Sequence, residues 1–154
     1  MSERTIRYRL VRATWTVVRE STGPSPRILD DPAAVAELGF DLLREADDDK
    51  EHFWLILLNA KNHYLLHTMV STGTQSATLV QPRDILGPAL REGAASLILI
   101  HNHPSGEETP SAEDVRLTRQ LVDAGRVVDI KVHDHIILAN GSGRWMSFAQ
   151  KSLI

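Results

Sequence analysis

Cysteine is absent from this chain of 154 residues. That removes disulfides and thiolate chemistry, fits a cytoplasmic setting, and restricts any metal site to His, Asp, Glu and Ser donors. No apolar run approaches the roughly 18 residues of a membrane span, and the N-terminus has no signal-peptide apolar region. A soluble protein without membrane contact is therefore expected. Internal repeats and low-complexity tracts are missing too. So is any excess of positive charge: the formal net charge is −3, which gives no general footprint for nucleic acid, although a local basic patch stays open.

What remains is an ordinary globular composition, 42% hydrophobic and 24% charged, of a length that suits one domain with a substantial core. Ile6 to Arg12 alternates apolar and charged residues like a half-buried strand, Thr14 to Val18 extends the β-prone region, and Ser21 to Pro26 is a loop. Residues 1–29 thus read as an N-terminal strand-and-loop arm, an edge strand rather than a partner-binding segment, and residues 30–154 as the domain proper. Asp30-Asp31-Pro32 opens a helix to about Ala46. Phe53 to Leu58 is a continuous apolar strand, Asn59 to Asn62 a turn, and Tyr64 to Val70 its hairpin partner, broken at Gly73-Thr74. Pro82 begins a helix reaching Glu92, with Gly87-Pro88 as an interruption and Gly93 as its end. Ala94 to Ile100 is the most apolar strand, Ala112 to Ala124 a helix stopped by Gly125, Ile130 to Ala139 a long strand, and Arg144 to Phe148 a short return strand. Such alternation predicts an α/β (α+β) fold, a mixed central β-sheet flanked by helices.

The strand ending at Ile100 delivers His101-Asn102-His103-Pro104-Ser105-Gly106, followed by Ser111 and Asp114. Two histidines two residues apart at a strand end point to one side. The connection contains prolines and a glycine and can fold Asp114 back to them. Two imidazoles and a carboxylate suit zinc, and three protein ligands leave a fourth position for water, the mark of a catalytic site. The competing explanation is a turn followed by a helix cap, because Ser111-x-x-Asp114 also matches a capping box. Each part alone would read that way; together, behind a buried strand, they favour a metal site. The letters HNH at residues 101–103 carry no nuclease meaning, since HNH nucleases are named for residues dispersed over a longer motif.

His101-x-His103-x₇-Ser111-x₂-Asp114 resembles the JAMM (MPN+) metalloprotease signature in full. The words around it, with Pro82-Arg83, Asp134-His135-Ile136-Ile137 and the strand from Phe53 to Asn59, resemble the RadC-like branch of that superfamily, from about Glu51 to the C-terminus. The resemblance implies a JAMM/MPN-like (cytidine-deaminase-like) architecture and one Zn2+ per chain, held by His101, His103 and Asp114. It implies that Glu51 is the upstream glutamate that holds and deprotonates the water, and that Ser111 donates to the oxyanion. Glu45 is the fallback base. The implied reaction is hydrolysis of a peptide or isopeptide bond in a protein or peptide substrate. Glu51 decides between a metal-binding loop and a hydrolase site, and the Ser111 hydroxyl is expected to face competing demands from helix cap and substrate.

Other polar residues receive structural readings. His63 and His67 are solvent-facing or packing residues. Asp134 and His135 enter a buried strand and satisfy each other or the backbone, the alternative being that one orients a ligating imidazole. Glu107 and Glu108 are solvated, adding negative potential that disfavours a phosphodiester. The helix-hairpin-helix region typical of RadC proteins is expected to be absent, as are the insertions with which deubiquitinating relatives grip ubiquitin. The rival function is a non-catalytic DNA-repair or mobile-element accessory protein with a structural or vestigial metal site. A complete set of Glu51, His101, His103, Ser111 and Asp114 favours the hydrolase, because a structural site needs neither a base nor an oxyanion donor.

Overall fold

A computed structural model of the chain describes residues 28–47, 49–73 and 80–154. The strands expected over Ile6–Arg12 and Thr14–Val18, and the loop at Ser21–Pro26, lie outside them. The described elements are α1 (Pro32–Arg44), β1 (Glu51–Leu58), β2 (Tyr64–Gly73), α2 (Pro82–Arg91), β3 (Ser96–His103), α3 (Ala112–Val127), β4 (Lys131–Ala139) and β5 (Trp145–Ser147). The strands form one five-stranded mixed sheet in the order β2-β1-β3-β4-β5. Only β3 and β4 pair in parallel; the β1–β2, β1–β3 and β4–β5 pairs are antiparallel. The α+β fold expected from the alternation of elements is therefore present, and no helix among the described residues is long and apolar enough to cross a membrane.

Side chains alternate across β1 and β3 and supply two separate cores. Phe53, Leu55, Leu57, Leu97 and Leu99 pack with Ile85 and Ala89 of α2 and with Leu117 and Leu121 of α3. Trp54, Ile56, Leu58, Ile98 and Ile100 pack on the opposite face with Val35, Ala36 and Leu43 of α1, and Leu29 joins them. Each fully buried Leu, Ile or Phe contributes about 1.5–3 kcal/mol of transfer free energy, which is why the continuous apolar runs of β1 and β3 occupy the centre.

Several expected boundaries move. Helix α1 starts as predicted, with the Asp31 carboxylate accepting from Ala33 N at 3.1 Å, but ends at Arg44, with Glu45 as its C-cap. Strand β2 runs on to Gly73, which pairs with Glu51 and so draws the first residue of β1 into the sheet. Helix α2 continues through Pro88 to Arg91. Gly125 does not stop α3; it lies within the helix, where a Cβ would meet the Ile130 carbonyl oxygen at 2.4 Å. The glycine is needed because β4 enters against the helix at that point.

Candidate metal centre

The site forms where β3 ends and α3 begins. Beyond Leu99, the β3 positions facing α3 are His101 and His103, and residue 114 lies in the first turn of α3. His101 is fully buried, and Asp114 is 1% exposed. Their ligand atoms, with that of His103, lie within 4.8 Å of one another. The two Nε2 atoms face each other at 2.8 Å. Asp114 Oδ1 is 3.3 Å from His101 Nε2, and Oδ2 is 3.5 Å from His103 Nε2.

Hydrogen bonding shows what this trio needs. His103 Nδ1 is 2.8 Å from the Glu107 carbonyl oxygen. A carbonyl can only accept, so Nδ1 carries the proton and the neutral ring keeps a bare Nε2. Asp114 Oδ2 accepts from Ser111 N at 2.7 Å, but Oδ1 is buried without an aligned donor. A buried carboxylate oxygen left unsatisfied is costly, and a cation between the imidazoles and Oδ1 would relieve it. The donor set therefore fits a divalent metal, and two imidazoles with one carboxylate fit zinc.

Electrostatics agrees in direction. Burial pushes the Asp114 carboxyl up, but the His101 and His103 imidazoles and the Ser111 amide outweigh burial and hold it far below the usual carboxylate range. For His103, burial lowers its proton affinity; the Asp114 carboxylate, the Glu107 carbonyl and the Glu51 charge more than reverse that. Burial drives His135 well below the ordinary imidazole value, with His101 and His103 adding to it against the opposing Asp114 carboxylate.

Glu51 is half-buried at the start of β1, and its charge is felt at His103. The register explains why. Phe53 pairs with His101, and continuing two residues brings Glu51 level with His103 on the same face. Ser111 is the exposed N-cap of α3, its Oγ accepting from Asp114 N at 3.1 Å. The expected competition for this hydroxyl does not arise. Capping uses a lone pair, whereas donation to an oxyanion uses the proton. Glu45 is not inside a helix but caps α1, exposed, on the other face of the sheet.

Asp134 and His135 do not satisfy each other through their side chains. Asp134 accepts from His135 N, Ala149 N and Ser147 Oγ, tying the C-terminal turn to β4. The His135 ring instead bonds His101 Nδ1 at 2.8 Å. Glu107 is exposed as expected, but Glu108 pairs with Arg144 at 3.1 Å, and Arg144 also donates to the Gly106 carbonyl, pinning the loop after His103. His67 is exposed and bonds the Tyr64 hydroxyl.

Asn102 was given no role from the sequence. It is fully buried, and its Oδ1 accepts from His52 N at 2.7 Å while Nδ2 donates to Lys50 O at 2.9 Å and Asn140 Oδ1 at 3.0 Å. The residue between the two histidines thus grips the backbone on both sides of Glu51. Its only sequence signal was an amide at the end of an apolar strand, pointing away from its neighbours.

Comparison with known proteins extends this geometry. The chain is 46% identical over 123 residues to a UPF0758 protein of Desulforamulus reducens, covering 80% of this chain and 52% of the relative. It is 46% identical over 138 residues to a UPF0758 protein of Symbiobacterium thermophilum, covering 89% and 57%. Over 147 residues it is 35% identical to a UPF0758 protein of Desulfitobacterium hafniense, covering 94% and 63%. The chain thus spans a little over half the length of these curated relatives. Residues 29–153, which take in both cores and the whole His-His-Asp trio, match the RadC-like JAB domain, and the chain belongs to that family.

Proposed function

We propose that the chain is a zinc-dependent metallohydrolase of the JAMM type, cleaving a peptide or isopeptide bond in a protein or peptide substrate in the cytoplasm. The observation that carries the reading is the trio of buried His101, partly buried His103 and buried Asp114, whose Oδ1 lacks a donor, beside an upstream carboxylate. In this reading His101 Nε2, His103 Nε2 and an Asp114 carboxylate oxygen hold one zinc per chain. Zinc held there would polarise the scissile carbonyl and lower the pKa of water to about 7.

The remaining steps belong to the chain. Glu51 takes a proton from the attacking water onto its carboxylate and returns it to the leaving amine nitrogen. The Ser111 proton, left free by the cap, is donated to the carbonyl oxygen as charge develops there. The Asn102 clamp keeps Glu51 level with His103, and the loop held by Arg144 fixes the Glu107 carbonyl against His103. Glu51 and Glu107 add negative charge to the surroundings, Glu108 being offset by Arg144, which suits an amide substrate better than a phosphodiester.

The test is Glu51→Gln. This variant should keep one zinc per chain by metal analysis while peptide hydrolysis falls by about 10²–10⁴, and it serves as bait in a substrate-trapping pull-down. Unchanged turnover would remove Glu51 as the base, and a wild-type protein that binds no metal would sink the centre itself. Salt-sensitive DNA binding by a catalytically silent protein would favour the accessory role instead.

A further inference from the structure

His101 has two ring nitrogens, and the one turned away from the trio enters a buried chain of hydrogen bonds. His101 Nδ1 lies 2.8 Å from His135 Nε2, His135 Nδ1 lies 2.7 Å from Thr118 Oγ1, and Thr118 Oγ1 lies 2.6 Å from the Asp114 carbonyl oxygen. His101, Thr118 and His135 are all fully buried. Phe148 stacks on the His135 ring at 4.7 Å and Phe53 on the His101 ring at 5.6 Å, so neither imidazole is free to turn.

Proton bookkeeping gives this chain a direction. The Asp114 carbonyl can only accept, so the single Thr118 hydroxyl proton goes to it. Thr118 Oγ1 must then accept from His135, which places the His135 proton on Nδ1 and leaves Nε2 bare. Bare Nε2 accepts the His101 Nδ1–H. His101 is left with an unprotonated Nε2 facing His103 and Asp114.

We propose that Thr118 and His135 are positioning residues that fix the tautomer of His101 and so present its Nε2 lone pair to a metal. The inference rests on the metal-centre reading and deepens it. The relay starts from the backbone of Asp114, whose carboxylate is the third donor, so one turn of α3 sets two of the three ligands. A threonine bonding back to the carbonyl four residues earlier is common in helices; its second contact, to a buried imidazole, is what a purely local role does not need.

Two measurements test it. Nitrogen-15 NMR of the metal-free protein should find the His135 proton on Nδ1, and Thr118→Val should lose that signature while Thr118→Ser keeps it. In chelator competition, Thr118→Val should bind zinc about 10–100-fold more weakly than wild type, the range seen when outer hydrogen-bond partners of ligands are removed, and Thr118→Ser should stay within about twofold. A His135 proton on Nε2, or zinc affinity unchanged in Thr118→Val, would overturn the relay. A wild-type protein without zinc affinity would sink the metal centre, and the His135 tautomer would still decide the relay separately.

Discussion

The two faces of the sheet come from the same strands and do different work. Along β3, Ile98 and Ile100 face α1 while Leu97 and Leu99 face α2 and α3, and to this point both sides are plain apolar core. In the last three residues the faces part. The α3 side receives His101 and His103 and meets Asp114, and it keeps a carboxylate oxygen unmatched. The other side receives Asn102, whose amide finds three partners. One face completes its polar bonding within the protein and the other stops short. A buried polar group without a partner costs about 1–3 kcal/mol, so an incomplete cluster beside a complete one marks the place where a ligand is wanted.

Substitutions on the two sides should separate stability from metal binding. Ile100→Ala on the α1 face should cost about 2–5 kcal/mol in urea unfolding with zinc stoichiometry intact in the folded protein. His103→Ala should reverse the pattern, losing zinc by metal analysis at a smaller cost to the metal-free fold. If both variants lose zinc and stability in parallel, the two faces are not separable.

A middle case is Asn102→Ala. It removes the hydrogen bonds to His52 N, Lys50 O and Asn140 Oδ1 from a buried position and should destabilise by about 1–3 kcal/mol, while zinc affinity stays within severalfold of wild type because no donor is touched. A loss of zinc as complete as in His103→Ala would show that the clamp supports the ligands rather than the Glu51 segment.

The smallest effect concerns pH, in metal-free protein under chelator. His135 has its folded proton affinity pushed below the ordinary value, so below about pH 6.5 the unfolded chain takes up a proton that the folded one refuses. Stability is therefore lost on acidification. His103 is raised, so its contribution is present below about pH 6.5 and is lost as pH rises through its folded value. Asp114, held low, adds stability above about pH 3.9 that disappears in stronger acid. Unfolding free energies from urea titrations should peak near neutrality and fall towards pH 5 by at most about 1.4 kcal/mol per pH unit and group. Steady stabilisation between pH 6.5 and 5 would contradict a neutral buried His135.

Legibility differed by the range of the interaction. The apolar runs of β1 and β3, the Asp31 cap and the Ser111–Asp114 capping box were readable because each depends on neighbours within a few residues. Gly125 misled because a glycine in a helical pattern ordinarily marks its end, whereas here it makes room for the Ile130 carbonyl. The ends of β2 and α3 moved for a similar reason, set by pairing with Glu51 and by packing against β4. Asn102 and His135 stood inside words of the family resemblance, and Thr118 in no motif; what each of them bonds is decided only across strands and between helix and sheet.

By itself the sequence determined which residues could act as donors and on which element each would lie, because ligand chemistry and helix caps are local properties of residue type and spacing. The tertiary structure decided the rest. Antiparallel register carried Glu51 level with His103, far along the chain, and burial turned ordinary polar side chains into groups that must each find a partner. Those are properties of proximity, which no spacing along the chain encodes.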